Sequence, residues 1–547
     1  WNLYYCCMNK IIVLCIIICG ISACSKDNSS IGKCVFRYNQ PNSITSLDPA
    51  FARNQSNIWA IDHIYNTLVQ LDDSLHLQPC LAKSWTIDDE GRKYQFILNT
   101  KIYFQDDPCF EGGKGRSINA SDVVYSLNRI IDEKVASPGS WIFSDRIDSI
   151  QPFVAINDSA VEIRLKTPFM PFLQLMSMQY CSIVPHEAVE KYGKLFREHP
   201  VGTGPFQLKK WVEGQTMILD KNPNYFEKLD GQQLPFVDIV RISFIGDKKT
   251  AFLQLLEGNL DFMSGFDPSM ANELLTRNGE LRERYADKIL CYKSPYLNTE
   301  YLGVNLEFND PKSPLLNKYF RQALNYGFDR KGLLATIKRG IGSPATSSFP
   351  PYGLPSFDDE KVQGYYYDIN KAKDLLVKSG FYKLKVEDRP VLNLFTAKDY
   401  SDHCLYITKQ WEQLGIKCNI ELAESATVRE MMRNGQALFF RGSWLADYPD
   451  AENYLTVFYG GNPAPPNYTH FKNADYDQLY KKSLVCIDEK ERYSLYHQME
   501  KILLEESPVI LMYYDAISNF TSKNIKDYRP NALNLLKVKY IKKSCQN

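Results

Sequence analysis

An α/β fold divided into two or three lobes is the architecture this sequence predicts, and three observations predict it. Residues 34–547 are too many for a single hydrophobic core. Helix-type and strand-type apolar spacings alternate along the chain, most regularly over residues 301–422, as a covered sheet requires. The composition, 44% hydrophobic and 13% aromatic, belongs to a folded chain and not to a disordered one.

The elements follow in order. Cys34 to Tyr38 reads as a first strand, stopped by Pro41 and Asn42. Ser56 to Leu68 places Ile58, Ile61, Ile64, Tyr65 and Leu68 on one helical face. Residues 92–104 alternate as a strand through Tyr94, Phe96 and Leu98. Asn119 to Asp122 caps a helix that runs to Ile131. Val161 to Leu165 is a further alternating strand, and Pro200 to Phe206 is punctuated by glycine and proline. A hairpin over Phe206–Leu219, a strand over Val237–Phe244 and helices near Thr250–Glu257 and Pro268–Thr276 come next. Tyr301 to Asn305 reads as the strand that opens a second lobe. Helices at 320–328, 331–338, 369–379 and 406–414 alternate with strands at 391–396 and 416–422, and Gly380 and Gly415 act as helix stops. Helices at 476–484 and 490–504 precede a buried strand over Pro508–Tyr514. No internal repeat is visible.

The first residues carry an export signal. Met8, Asn9 and Lys10 precede a short apolar run, Ile11 to Ile21, below the roughly 20 residues a membrane span needs. Residues 8–23 are read as the signal, with Met8 as its start, since Trp1 to Cys7 fit no signal pattern. The exit Ile21-Ser22-Ala23-Cys24 resembles the lipobox of bacterial lipoproteins, in which cleavage precedes a cysteine that then carries lipid. That resemblance implies a membrane anchor on Cys24. The polar stretch within residues 24–33 is read as a flexible tether.

Charge is balanced, with 64 basic and 64 acidic residues, so no basic stripe points to a nucleic-acid partner. The nine cysteines after the anchor are scattered and never spaced C-x-x-C, which disfavours a zinc site or a dense disulfide framework. Seven histidines give no H-E-x-x-H. There is no G-x-S-x-G elbow and no phosphate-binding loop, and Gly112-Gly113-Lys114-Gly115 has the wrong spacing for one. No enzyme activity, cofactor or metal site is expected.

Several stretches, in order, resemble one family. They are Leu47-Asp48-Pro49-Ala50, His63 to Val69, Leu81 to Trp85, Asp89 to Phe96, Asn119 to Leu127, Val201 to Phe206, Phe320 to Leu324 with Asp329-Arg330, and Trp444 to Asp450. This set resembles the extracytoplasmic solute-binding proteins of peptide and nickel ABC transporters. The resemblance implies a two-lobed clamp of the type II periplasmic-binding class with an extra subdomain. Lobe one would hold 34–298, with the subdomain near 80–195; lobe two would hold 299–512, and 513–547 would return to lobe one. It also implies a monomer on the periplasmic side that captures a peptide and delivers it to ABC permease and ATPase subunits.

Site residues follow from the same resemblance. Asp447 matches the position that holds a peptide's ammonium, and a buried ammonium needs a fixed carboxylate. Arg441 matches a position able to meet a carboxylate through its planar fork. The backbones of Ser443 and Leu445 are expected to pair with an extended ligand, and Trp444 to wall a side-chain pocket. Tyr448, Asn54, Gln55 and Tyr301 complete the expected ligand contacts. Arg53 stands where relatives often carry an acid, which bears on how the ammonium is held. Two other readings stay open: the same clamp binding a nickel chelate, haem or an oligosaccharide, and an exported lipid-anchored hydrolase.

Overall fold

The structure, a computed structural model, describes residues 32–544. The expected signal segment, Cys24 and the tether up to residue 31 lie outside the described residues.

One mixed sheet runs through the molecule and joins two halves. Its strand order is Cys418–Ala423, Leu392–Ala397, Phe439–Leu445, Ile289–Val304, Val509–Ser522, Phe262–Ser264, Val35–Asn39, Ile239–Ser243, Thr216–Lys221 and Phe206–Val212, with Ser343–Pro344 paired to Val509–Ser522. The first strand is buried on both faces and runs parallel to Ile239–Ser243, as a covered sheet requires.

Two long antiparallel strands, Ile289–Val304 and Val509–Ser522, join the halves. Ile289 faces Ser522 at one end and Gly303 faces Val509 at the other. The expected strand at Tyr301–Asn305 is therefore the end of a 16-residue strand. The expected strand at 508–514 likewise continues to Ser522. Alternation alone did not show these lengths, because Ser294-Pro295 interrupts the apolar pattern. Proline cannot donate to the ladder. The pairing skips there: Pro295 faces Ala516, and the next pair is Thr299 with Tyr514, so Tyr296, Leu297 and Asn298 bulge opposite Asp515.

In the first half a four-stranded sheet, Ala82–Asp88, Lys93–Leu98, Ala160–Arg164 and Phe153–Asn157, packs with helix Ala120–Ile131. Asn119 and Asp122 form a reciprocal capping box at that helix. Its core is continuous with that around Phe36 and Trp59. In the second half the sheet is covered on both faces, by a cluster around Phe320, Trp411 and Phe439 and by another around Tyr301, Phe349 and Tyr454. Gly380 ends helix Ile369–Ser379 at φ 81°, a left-handed cap that glycine adopts without strain.

Cys34 is disulfide-bonded, while Cys80, Cys181 and Cys404 are buried free thiols. Among the described residues no helix is long and apolar enough to cross a membrane.

Candidate functional site

A cavity of about 620 Å³ lies between the two halves. Helix Gln55–Ile64 and the turn before it contribute Arg53, Gln55, Ile58 and Trp59. The remainder of the first half adds Trp141, Met178 and Tyr180, and the C-terminal tail adds Leu533 and Leu535. Tyr296 and Leu297 form the wall where the long strands cross. The second half supplies Leu445, Ala446, Asp447 and Pro449. Apolar and aromatic walls carrying a few polar groups are typical of small-ligand sites.

Local structure fixes these positions. Asn54 caps helix Gln55–Ile64, its side-chain oxygen accepting from the Asn57 amide at 3.0 Å. Trp59 is held from behind by its indole N–H, which donates to the Asn534 carbonyl at 2.8 Å. The bulge after Pro295 turns Tyr296 and Leu297 to the cavity. The Ala446 amide donates to the Leu297 carbonyl at 2.9 Å and so anchors the segment that carries Asp447.

Asp447 is water-accessible in the cleft and rests on one asparagine. Asn453 Oδ1 accepts from the Asp447 amide at 3.2 Å and from the Trp444 indole at 3.1 Å. Asn453 Nδ2 reaches Asp447 Oδ2 only at 3.5 Å. The protein mass around the cleft pushes the Asp447 carboxyl above the ordinary range, and the Asn453 amide pulls weakly the other way. Asp447 is thus a held carboxylate with no cation paired to it among the described residues.

The strand leading to it has an open edge. Since Ala446 bonds to Leu297, alternate residues of Phe439–Leu445 share that ladder, and the intervening Ser443 and Leu445 turn their main-chain groups the opposite way. On that side strand Leu392–Ala397 pairs only with Phe439 and Phe440.

The expected residues divide. Asp447, Leu445 and Gln55 line the cavity, as does Arg53. Others do not. Arg441 is drawn away into a buried ion pair with Glu300 and lies over the Tyr400 ring. Tyr301 is 2% exposed, packed edge-on to Phe349 and against Gly442. Tyr448 is buried, its hydroxyl bonded to Glu452 and its ring stacked 6.5 Å from Trp141. Trp444 packs on the core of the second half and does not line this cavity; it contributes through Asn453. Asn54 spends its side chain on the helix cap and faces an outer groove beside Asp48 and Arg197. The Ser443 side chain is exposed outside the cavity wall. Strand alternation for Arg441, Ser443, Trp444 and Tyr301, and capping for Asn54, assign these side chains to faces that a motif match cannot distinguish.

The sequence reading missed Trp141, Met178, Tyr180 and Tyr296. Only Tyr296 had a local signal, the Pro295 that breaks its strand. Ser177, the serine of the wall, donates its hydroxyl to the Gln174 carbonyl at 2.7 Å. Asp122, His186 and Glu187 come together elsewhere as oxygen and nitrogen ligands. The Arg116 guanidinium already fills that cluster, with contacts of 2.6 Å to Asp122 and 2.5 Å to Glu187.

Solved structures with a similar fold are numerous. The family model of bacterial extracellular solute-binding proteins, family 5, matches residues 76–466. Heme-binding protein A of Haemophilus influenzae is 27% identical over 482 residues, covering 85% of this chain and 84% of its own. An unliganded open form of the periplasmic murein tripeptide-binding protein MppA superposes with a TM-score of 0.81 at 22% identity, covering 93% of this chain and 97% of its own. DppA of Helicobacter pylori, in complex with the peptide STSA, gives 0.68 at 23% identity, covering 94% and 99%. The two halves are the lobes of a type II periplasmic-binding clamp, and this chain belongs to the bacterial extracellular solute-binding proteins, family 5.

Proposed function

We propose that this chain is the substrate-binding component of an ABC importer, and that it captures a peptide between its lobes for delivery to permease subunits. The observation that carries the reading is Asp447: a carboxylate held by Asn453, without a paired cation among the described residues, on an aromatic-lined cavity between the halves. A peptide ammonium supplies that cation. The open edge at Ser443 and Leu445 offers main-chain groups to an extended ligand, which reads backbone rather than side chains. Peptide-binding relatives with the same fold support this choice. The ligand need only prefer the closed arrangement to shift the clamp toward it.

Lobe boundaries near residues 298–299 and 512–513 fit the crossing of the two long strands. Lipid on Cys24 would concentrate the clamp at the membrane. Metabolic labelling with a fatty acid tests that part, and label retained in Cys24→Ala would defeat it.

A second reading has one observation behind it. Trp59, Trp141, Tyr180 and Tyr296 form a wall that also suits a large apolar ligand, and a relative is named for heme. Calorimetry separates the two. Short peptides should bind to the wild type and lose at least tenfold in affinity in Asp447→Ala. No heat with any peptide, together with binding of haem that Asp447→Ala leaves unchanged, would replace the first reading with the second.

A further inference from the structure

Among the described residues that line the cavity, two carry a charged side chain: Arg53 in the first half and Asp447 in the second. They have opposite signs. Burial holds the Tyr180 hydroxyl above its ordinary range; the Arg53 charge opposes that rise and the Asp447 charge adds to it, so this ring lies within the electrostatic reach of both. The protein neutralises neither one. Among the described residues no carboxylate lies within 4.0 Å of the Arg53 guanidinium, and no cation lies within 4.0 Å of the Asp447 carboxylate. The arginines built into the fold behave differently. Arg129 pairs with Asp48 at 2.8 Å, Arg116 with Asp122 at 2.6 Å, and Arg441 with Glu300. Arg53 stands at the rim of the cavity, on the turn between Pro49–Phe51 and helix Gln55–Ile64, and is exposed.

We propose that Arg53 is the carboxylate-binding residue of this cleft, so that its ligand is a short peptide with a free carboxyl end, its ammonium on Asp447 and its carboxylate on Arg53. The assignment rests on the peptide reading above. Closure of the halves strips water from both charges, and an unpaired charge in a dry site is strongly disfavoured. A ligand with both ends charged relieves both costs at once, whereas a ligand lacking one end leaves one charge stranded. The planar guanidinium meets a carboxylate through two parallel hydrogen bonds, which adds direction to attraction. An extended chain advances roughly 3.5 Å per residue, and a cavity of this size holds about two to four residues. Trp141, Met178 and Tyr296 take up apolar side chains with little selectivity, methionine being the adaptable one. Discrimination therefore falls on the two ends of the ligand.

The test uses a pool of tripeptides, prepared both as free acids and as C-terminal amides. The pool is offered to protein freed of copurified ligand, and the retained peptides are identified by mass spectrometry. Wild type should retain acids over amides by tenfold or more. Arg53→Gln, at an exposed position, should keep the wild-type melting temperature, continue to hold peptide and lose the preference. Asp447→Asn should weaken retention of both forms alike. Equal retention of acids and amides by the wild type overturns the Arg53 assignment while the peptide reading stands. Retention of neither form overturns both.

Discussion

Arg441 and Glu300 form an ion pair across neighbouring strands, with side chains 10% and 3% exposed. Arg441 lies opposite Leu302 and Glu300 opposite Ser443, so the contact is diagonal on one face of the sheet. Asn298 Nδ2 donates to Glu300 Oε1 at 2.9 Å and ties the pair to the crossing of the long strands. Removing one partner leaves a buried charge uncompensated. Glu300→Ala should therefore destabilise by about 3–5 kcal/mol, and a double Met substitution of Glu300 and Arg441 by much less. Urea unfolding checks both. Equal losses in the single and double variants would show that the pair itself holds the strands together.

Asp447 sets function against stability. The cleft walls around this water-accessible side chain raise its carboxyl pKa, so between the ordinary carboxylate value and the raised one the folded protein binds more protons than the unfolded chain. Stability from this group is present at low pH and is lost as pH rises through that window. Asp447→Asn should thus raise the melting temperature of the unliganded protein at neutral pH while abolishing ammonium binding. Peptide affinity in the wild type should fall on acidification, starting above the ordinary carboxylate range. Differential scanning fluorimetry and calorimetry at several pH values give both readouts.

Asn453 governs how Asp447 is presented. Trp444→Phe keeps the ring and deletes the 3.1 Å indole bond to Asn453. The expected cost is about 1 kcal/mol, or roughly five- to tenfold in peptide affinity, with the fold intact. Asn453→Ala strands the Asp447 amide and the indole together and should cost more. Affinity unchanged in both variants would show that Asp447 is positioned by its backbone alone.

Glu500 sits inside helix Glu489–Glu506 at 4% exposure. Burial pushes its pKa up to about 8, and the nearby Asp358 adds to the rise. The unfolded value is near 4.3, so the native state holds the extra proton between about pH 4.3 and 8. Stability should decline across that interval by an amount on the order of a few kcal/mol, and Glu500→Gln should flatten the decline. Denaturant midpoints at pH 5, 7 and 9 test this, and parallel pH profiles in the two proteins would refute it.

Much of this protein was legible in its sequence because the relevant forces are local. Helical spacing gave the helix Ala120–Ile131 and the body of the helix expected over Ser56 to Leu68, which the structure ends at Ile64 because Tyr65 turns extended; side-chain capping gave Asn119, and a left-handed glycine the stop at Gly380. The family resemblance led to Asp447 and to the clamp. The sequence could not tell which strand residues face the cleft, because a segment such as Arg441 to Leu445 alternates faces and its phase is set by strands distant in sequence. Arg441 was lost to Glu300, and Tyr301 to the core, for that reason. The cavity wall was equally hidden. Trp141, Tyr180, Tyr296 and Asp447 are far apart along the chain and meet only after the two long strands cross. By itself the sequence determined most elements, the fold class and one charged residue of the cleft; which side chains share the cavity, and that Arg53 and Asp447 share it without an oppositely charged neighbour among the described residues, was decided by tertiary packing, since cross-strand register and lobe contacts are non-local.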